Sequence, residues 1–361
     1  MKRLSILTAI ILAAAALMAS FQNCYACTGI TLKAKDGSTV VARTIEWAAS
    51  DNDCRWVVVP RGHTWKSFIP GGGTGRSFTS KYGYVGVAVV QDELMMEGMN
   101  EKGLSAGLFY FPDYGRYEEY SEANYETNIS DFQLVSYILG RCATVDEVKA
   151  EIAKVHIHGF DPRSSTVHWR FAEPSGRQIV LEIIDGKCVF YENTLGVLTN
   201  SPSFDWQLTN LNNYVNLLPG RTEPHTLGNM SLSSFGGGSA MLGLPGDFTP
   251  PSRFVRAAFF QNTAPQKQNA EGSVFTAFHI LGSMEIPIGA QFAPGQEPAD
   301  IPSATQCTCV TDMSGLRLYY RSMYDGGIRC IDLKEIDFKK VGLRSEPLIP
   351  AKKEYVHYIK F

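Results

Sequence analysis

Four tight turns decide what this chain can become. Asp36-Gly37 separates an apolar run holding Ile30 and Leu32 from one holding Val40 and Val41. Asn100-Glu101-Lys102-Gly103 separates Met95–Met99 from Leu104–Tyr110. Pro174-Ser175-Gly176 and Asp185-Gly186 punctuate three further runs, at residues 166–171, 178–184 and 187–191. Glycine beside Asp, Asn or Ser supplies the left-handed backbone that short hairpin turns require. A turn this short returns the next strand antiparallel, because a parallel crossover needs a dozen or more residues. The chain is therefore read as antiparallel meanders. Further runs at 56–60, 85–90, 306–310, 316–324 and 328–333 add strands. Helical patterns cover 131–141 behind Ser130, 145–155 behind Thr144 with Glu147 three residues on (a capping box), a stretch from Ser203 towards Leu217, one opening at Pro251-Ser252, and 273–284. Gly71-Gly72-Gly73-Thr74-Gly75 and residues 219–250 read as loops. The glycine run lacks the Gly-Lys-Ser/Thr ending of a phosphate-binding loop.

Ahead of the first hairpin stands a secretory leader. Lys2 and Arg3 precede an almost wholly apolar run, Leu4 to Met18, which is short for a membrane span of roughly 20 residues. Cys24-Tyr25-Ala26 places small residues at the −3 and −1 positions of a cleavage site. Residues 1–26 are expected to be removed, directing the protein to the periplasm or outside the cell and making Cys27 the first mature residue. Of 361 residues, 335 then remain, enough for one large domain or two. The net charge of −3 includes +2 from the leader, so the mature chain carries −5. No basic run or stripe suggests a nucleic-acid partner. No later stretch is long and apolar enough to span a membrane. Seven cysteines follow the leader, an odd number, and most read as buried thiols.

The chemistry narrows by elimination. The sequence contains no Gly-x-Ser-x-Gly elbow and no His-Glu-x-x-His zinc motif. His156 and His158 have strand spacing without an acidic companion and read as structural. What remains is catalysis by an N-terminal residue. Cys27 would carry a thiol and a free α-amine, whose pKa near 8 suits it to take the thiol proton. The Asp36-Gly37 hairpin brings Arg43 and Glu46 back beside it, and a positive Arg43 would favour the thiolate. Asn200, at the end of a strand, either donates to an oxyanion or fixes the turn before Pro202; alone it reads as the turn. Arg253 sits at a helix start, where the dipole prefers anions, a sign of another task. Met95, Met96, Phe109, Tyr110 and Phe111 form either an apolar pocket or ordinary core.

Taken together, Cys27-Thr28-Gly29, Ala42-Arg43-Thr44-Ile45-Glu46-Trp47, Gly98-Met99-Asn100-Glu101-Lys102-Gly103-Leu104, residues 196–206 and residues 243–254 resemble the choloylglycine hydrolase family, the bile salt hydrolases and penicillin V acylases among the N-terminal-nucleophile hydrolases. The resemblance implies an α+β fold, a four-layer αββα sandwich of two antiparallel sheets between helical layers, as a single domain over 27–361. It implies hydrolysis of a linear amide through a thioester, without cofactor or metal. Cys27 would be nucleophile, Arg43 its orienting arginine, Asn200 an oxyanion donor and Arg253 a second active-site arginine. Glu46 stands where the family usually has aspartate. Phe109 stands where the second oxyanion donor normally lies, with one extra residue before Phe111, so its backbone N–H would serve. Met95, Met96, Tyr110 and Phe111 would hold the acyl group. The implied partner is a small amphipathic amide: conjugated bile salts first, then penicillin V or N-acyl homoserine lactones. The family is commonly tetrameric. A non-catalytic exported binding protein of the same fold is the rival reading.

Overall fold

The computed structural model describes residues 26–161, 165–298, 301–356 and 358–360. The expected leader therefore lies outside the described residues except for Ala26. Thirteen strands build two antiparallel sheets. In chain order they are β1 (Cys27–Lys33), β2 (Thr39–Glu46), β3 (Arg55–Val59), β4 (Tyr84–Ala88), β5 (Met95–Asn100), β6 (Ser105–Tyr110), β7 (Val167–Ala172), β8 (Gln178–Ile184), β9 (Lys187–Glu192), β10 (Thr305–Asp312), β11 (Arg317–Ser322), β12 (Arg329–Asp332) and β13 (Arg344–Pro347). One sheet has the order β1-β2-β10-β11-β12, the other β9-β8-β7-β6-β5-β4-β3-β13. The four turns fall where the sequence places them, with Gly37, Gly103, Gly176 and Gly186 all at positive φ.

Among the described residues five α-helices cover the outer faces: α1 (Leu134–Arg141), α2 (Val145–Ile152), α3 (Phe204–Asn210), α4 (Pro250–Thr263) and α5 (Ala270–Gly282). Helices α1 and α2 pack on the eight-stranded sheet, where Leu134, Ile138, Leu139 and Val148 meet Leu108, Trp169 and Leu181. Helices α4 and α5 pack on the five-stranded sheet, where Phe254, Ala257 and Phe278 meet Ile30, Val40 and Ala42. Between the sheets lie Val41, Val85, Met99 and Leu318 at one end and Ile45, Val87, Cys307 and Cys309 at the other. The result is the αββα sandwich. Strands β2, β7 and β10 are buried along their whole length because both faces are covered.

Some local expectations change. Helix α1 starts at Leu134, after a 3-10 turn Asp131–Gln133, and Ser130 makes no capping hydrogen bond. Thr144 does cap α2, accepting from Glu147 N–H at 3.2 Å. The glycine run is the tip of a hairpin, Thr64–Ile69 with Gly73–Thr79, so two of its glycines are in strand. The expected strand ending at Asn200 shrinks to one bridge, Leu198 with Gly29. Residues 219–250 carry a short hairpin, His225–Leu227 with Met230–Leu232. Edge strand β13 was not legible, being short and mostly polar. All seven described cysteines are free thiols.

Candidate active site

Strand pairing assembles the centre. In the β1–β2 register Cys27 faces Ile45 and Gly29 faces Arg43. Side chains alternate along a strand, so Cys27, Gly29, Arg43 and Ile45 point between the sheets, whereas Thr28, Thr44 and Glu46 point towards α4 and α5. Cys27 is 3 % exposed and Arg43 fully buried. Arg43 Nη2 donates to Cys27 Sγ at 2.7 Å. Its Nη1 donates to Met96 O at 2.9 Å and to Leu108 O, and its Nε donates to Thr44 O at 3.1 Å. The β5–β6 pairing ends at Glu97 opposite Gly107, and the guanidinium takes carbonyls at the point where these strands part. The Phe109 ring lies 4.1 Å beneath it. Burial alone would lower the Arg43 pKa, but the Cys27 sulfur and Glu97 outweigh it and leave Arg43 raised. A guanidinium so fixed stabilises negative charge on the sulfur.

Arg253 approaches from the helical side. Its Nη1 donates to Thr28 Oγ1 at 2.8 Å and to Cys27 O. Its Nη2 donates to Asn200 Oδ1 at 2.7 Å, and its Nε to Phe248 O at 2.8 Å. Cys27 N–H also donates to Asn200 Oδ1, at 2.8 Å. The nitrogen is here a peptide N–H, joined to Ala26. Asn200 Nδ2 donates to Tyr110 O at 2.7 Å, which leaves its second N–H for another acceptor. The structure thus brings Cys27, Arg43, Asn200 and Arg253 together, and Asn200 is a hub as well as a turn residue.

Glu46 is placed differently from a simple Cys27 partner. It lies on the helical side of β2, 3 % exposed, with Oε1 accepting from Thr305 Oγ1 at 3.1 Å. Burial raises its pKa to about 7 against the attraction of Arg253. Burial in turn lowers Arg253 to about 10, opposed by Glu46 and Cys27. The two groups balance one another across the strand from the sulfur.

The Phe109 expectation needs correction. Phe111 N–H donates to Thr166 O at 2.8 Å, and Phe109 faces His168 in the same ladder. Antiparallel hydrogen bonding alternates along a strand, so Phe109 N–H also turns towards β7. The Tyr110 N–H shares the side of the Tyr110 carbonyl that accepts from Asn200, and is the backbone donor that faces the centre. Met95 is likewise relocated: it is fully buried in the core beneath α1 and does not line a pocket at Cys27. Phe111 is fully buried, stacked on His168 at 4.5 Å. Tyr110 and Met96 remain half-buried at this end of the sheet.

Sequence reasoning passed over two buried polar pairs. Arg170 Nη2 donates to Glu97 Oε1 at 2.8 Å. His168 Nδ1 contacts Glu182 Oε1 and Nε2 contacts Thr199 O, each at 3.1 Å, and this holds the residue before Asn200. Their signal is a charged or imidazole residue inside an otherwise apolar strand: His168 and Arg170 in Val167–Ala172, and Glu182 in Gln178–Ile184.

The comparisons with known proteins bear on the family and the fold. The family model described as linear amide C–N hydrolases, choloylglycine hydrolase family, matches residues 27–345. A bile salt hydrolase/transferase of Clostridium perfringens is 32 % identical over 317 residues, covering 86 % of this chain and 93 % of that protein. The crystal structure of a variant of the conjugated bile acid hydrolase of Clostridium perfringens superposes with a TM-score of 0.78 at 27 % identity, over 92 % of this chain and 100 % of that one. Penicillin V acylase of Agrobacterium tumefaciens gives 0.71 at 25 % identity, over 92 % and 94 %. With the fold, the buried cysteine–arginine contact and the family match in accord, the chain belongs to the choloylglycine hydrolase family of linear amide C–N hydrolases.

Proposed function

We propose that the protein is exported, loses residues 1–26, and hydrolyses conjugated bile salts with Cys27 as its N-terminal nucleophile. The observation that carries the reading is the Arg43 Nη2–Cys27 Sγ contact of 2.7 Å, with Asn200 Oδ1 2.8 Å from the Cys27 nitrogen. Once that nitrogen is a free amine, it takes the thiol proton. The sulfur attacks the amide carbon, and the oxyanion is met by the remaining Asn200 Nδ2–H and by Tyr110 N–H. The ammonium returns its proton to the departing glycine or taurine nitrogen, leaving a thioester that water hydrolyses. Arg253 holds Asn200 and the Cys27 carbonyl in register through this exchange.

Bile salts stand first because the relative matched at 32 % identity is a bile salt hydrolase, whereas a penicillin V acylase of Pectobacterium atrosepticum matches at 28 %. Penicillin V and N-acyl homoserine lactones are the alternatives. A homo-oligomer is proposed as well, since Leu227, Met230, Phe235 and Leu242 project from residues 225–242 with most of their surface in solvent.

The test is a panel of glycocholate, taurocholate, penicillin V and a long-chain acyl homoserine lactone on processed protein. Glycine or taurine release fastest of all is expected. Cys27→Ala should abolish turnover. Retained release in that variant excludes the thiol, and binding without release by the parent protein favours a non-catalytic role. N-terminal sequencing that starts anywhere but Cys27 removes the base.

A further inference from the structure

Phe109 occupies a setting that ordinary core packing does not explain. Its ring lies between two buried guanidiniums, Arg43 at 4.1 Å and Arg170 at 5.6 Å. Glu97, Gly107 and Arg170 stand in one row across β5, β6 and β7, because Gly107 is opposite Glu97 in one ladder and opposite Arg170 in the next. Arg170 and Glu97 close their 2.8 Å contact over this glycine. A Cβ at Gly107 would come within 2.1 Å of Glu97 Oε2, and one at Gly29 on the facing sheet within 3.0 Å of the Phe109 ring and 3.1 Å of Arg170 Nη1. Both positions are cut back to hydrogen where the pair needs room. Arg170 Nη1 also crosses to β2, donating to Ala42 O at 3.3 Å, one residue from Arg43.

Glu97 is thus a buried carboxylate with two cations within reach. Its Oε2 has no hydrogen-bond partner among the described residues. An unpaired buried carboxylate is costly and moves towards any cation available. We propose that Arg170 is a positioning residue: it pairs with Glu97 through Oε1 and thereby leaves the Arg43 guanidinium for the sulfur of Cys27. Without Arg170, Glu97 pairs with Arg43 and draws it off the sulfur. The charges support the arrangement, since two guanidiniums and one carboxylate leave one positive charge between the sheets, and an anionic Cys27 sulfur balances it. Glu97 already acts on Arg43 across this space. Of the other ionisable groups, His168 on β7 and Cys309 on β10 share this space, while Glu46 on β2 acts on Arg43, and Arg253 on α4 acts on Cys27, from the helical side of the sheet.

This inference rests on the reading of Cys27 as nucleophile, so its test reads the sulfur directly. Processed protein is treated with iodoacetamide over a range of pH, and labelling of the Cys27 peptide is followed by mass spectrometry. Arg170→Met is expected to raise the midpoint of the labelling profile by about one pH unit or more, the effect of removing an opposite charge from a sulfur's surroundings. Arg170→Lys should restore part of it, because the charge returns without the two-pronged geometry. Glu97→Gln with Arg170→Met should return the midpoint close to that of the parent, because the competing carboxylate is gone; this pair also leaves no buried carboxylate without its arginine if Arg170→Met alone folds poorly. Equal midpoints in the parent and Arg170→Met overturn the proposal. So does a double variant no closer to the parent than the single one, or a Cys27 that never labels in the folded protein. Hydrolysis that survives in Cys27→Ala, with the labelling shifts intact, sinks the proposed function and leaves this inference standing. Unshifted labelling with hydrolysis lost in Cys27→Ala does the reverse.

Discussion

Glu46 shows how one residue can be tied to a centre without touching the reacting atom. Its carboxyl is enclosed between β2 and the helices, and its Oε2 finds no partner among the described residues. Burial lifts its pKa from 4.5 to about 7. A raised folded-state value means that folding favours the protonated form. This contribution is full below pH 4.5 and fades as pH rises through about 7. We expect Glu46→Gln to be increasingly more stable than the parent across that window, by up to about 3 kcal/mol at its upper end. Urea melts of both proteins at the two ends of the window measure it. A difference independent of pH would show that Glu46 stays ionised through Arg253. Aspartate, the usual family residue, would end one methylene short of the Thr305 hydroxyl that Glu46 now meets.

At the scale of elements, the glycines between the sheets set how closely charged side chains can pack. Gly107→Ala is expected to destabilise the protein by about 1–3 kcal/mol, because its new methyl overlaps Glu97 Oε2; denaturant unfolding reads this. The same site shows what could and could not be read from the chain. The turns fixed the meanders because glycine at positive φ is a local requirement. The pairing of Arg43 with Cys27 was legible because a hairpin's register is local too. The Glu97–Arg170 pair was not, since it joins residues 73 apart in sequence through strands whose neighbours only the sheet order reveals. The Phe109 expectation failed for a related reason: whether a strand N–H points left or right depends on which ladder it has joined. Met95 went astray because a bulge shifts the register between Val87 and Ala88 at the start of β5, and periodicity cannot anticipate that.

For the whole molecule, two open sheets under two helical layers leave residues 225–242 with several apolar side chains in solvent. The hairpin of His225–Leu227 with Met230–Leu232 and the residues after it hold Leu227, Met230, Phe235 and Leu242 mostly in solvent. We expect Phe235→Ser with Leu242→Ser to shift the protein to a smaller assembly by light scattering while its far-ultraviolet dichroism is unchanged. A monomeric parent would remove the oligomer from the account. Ala26 is 3 % exposed, its carbonyl accepts from Glu46 N–H at 3.2 Å, and it packs with Ala48, Ile286 and Ala304. The peptide bond whose hydrolysis would release the amine of Cys27 joins two residues that are each only 3 % exposed. If the proposed cleavage is made by a separate protease, the cut has to come before the sheets close over the new terminus. On the proposed mechanism, a chain that folded before cleavage would keep its sulfur, both arginines and its asparagine in place and would still lack a base.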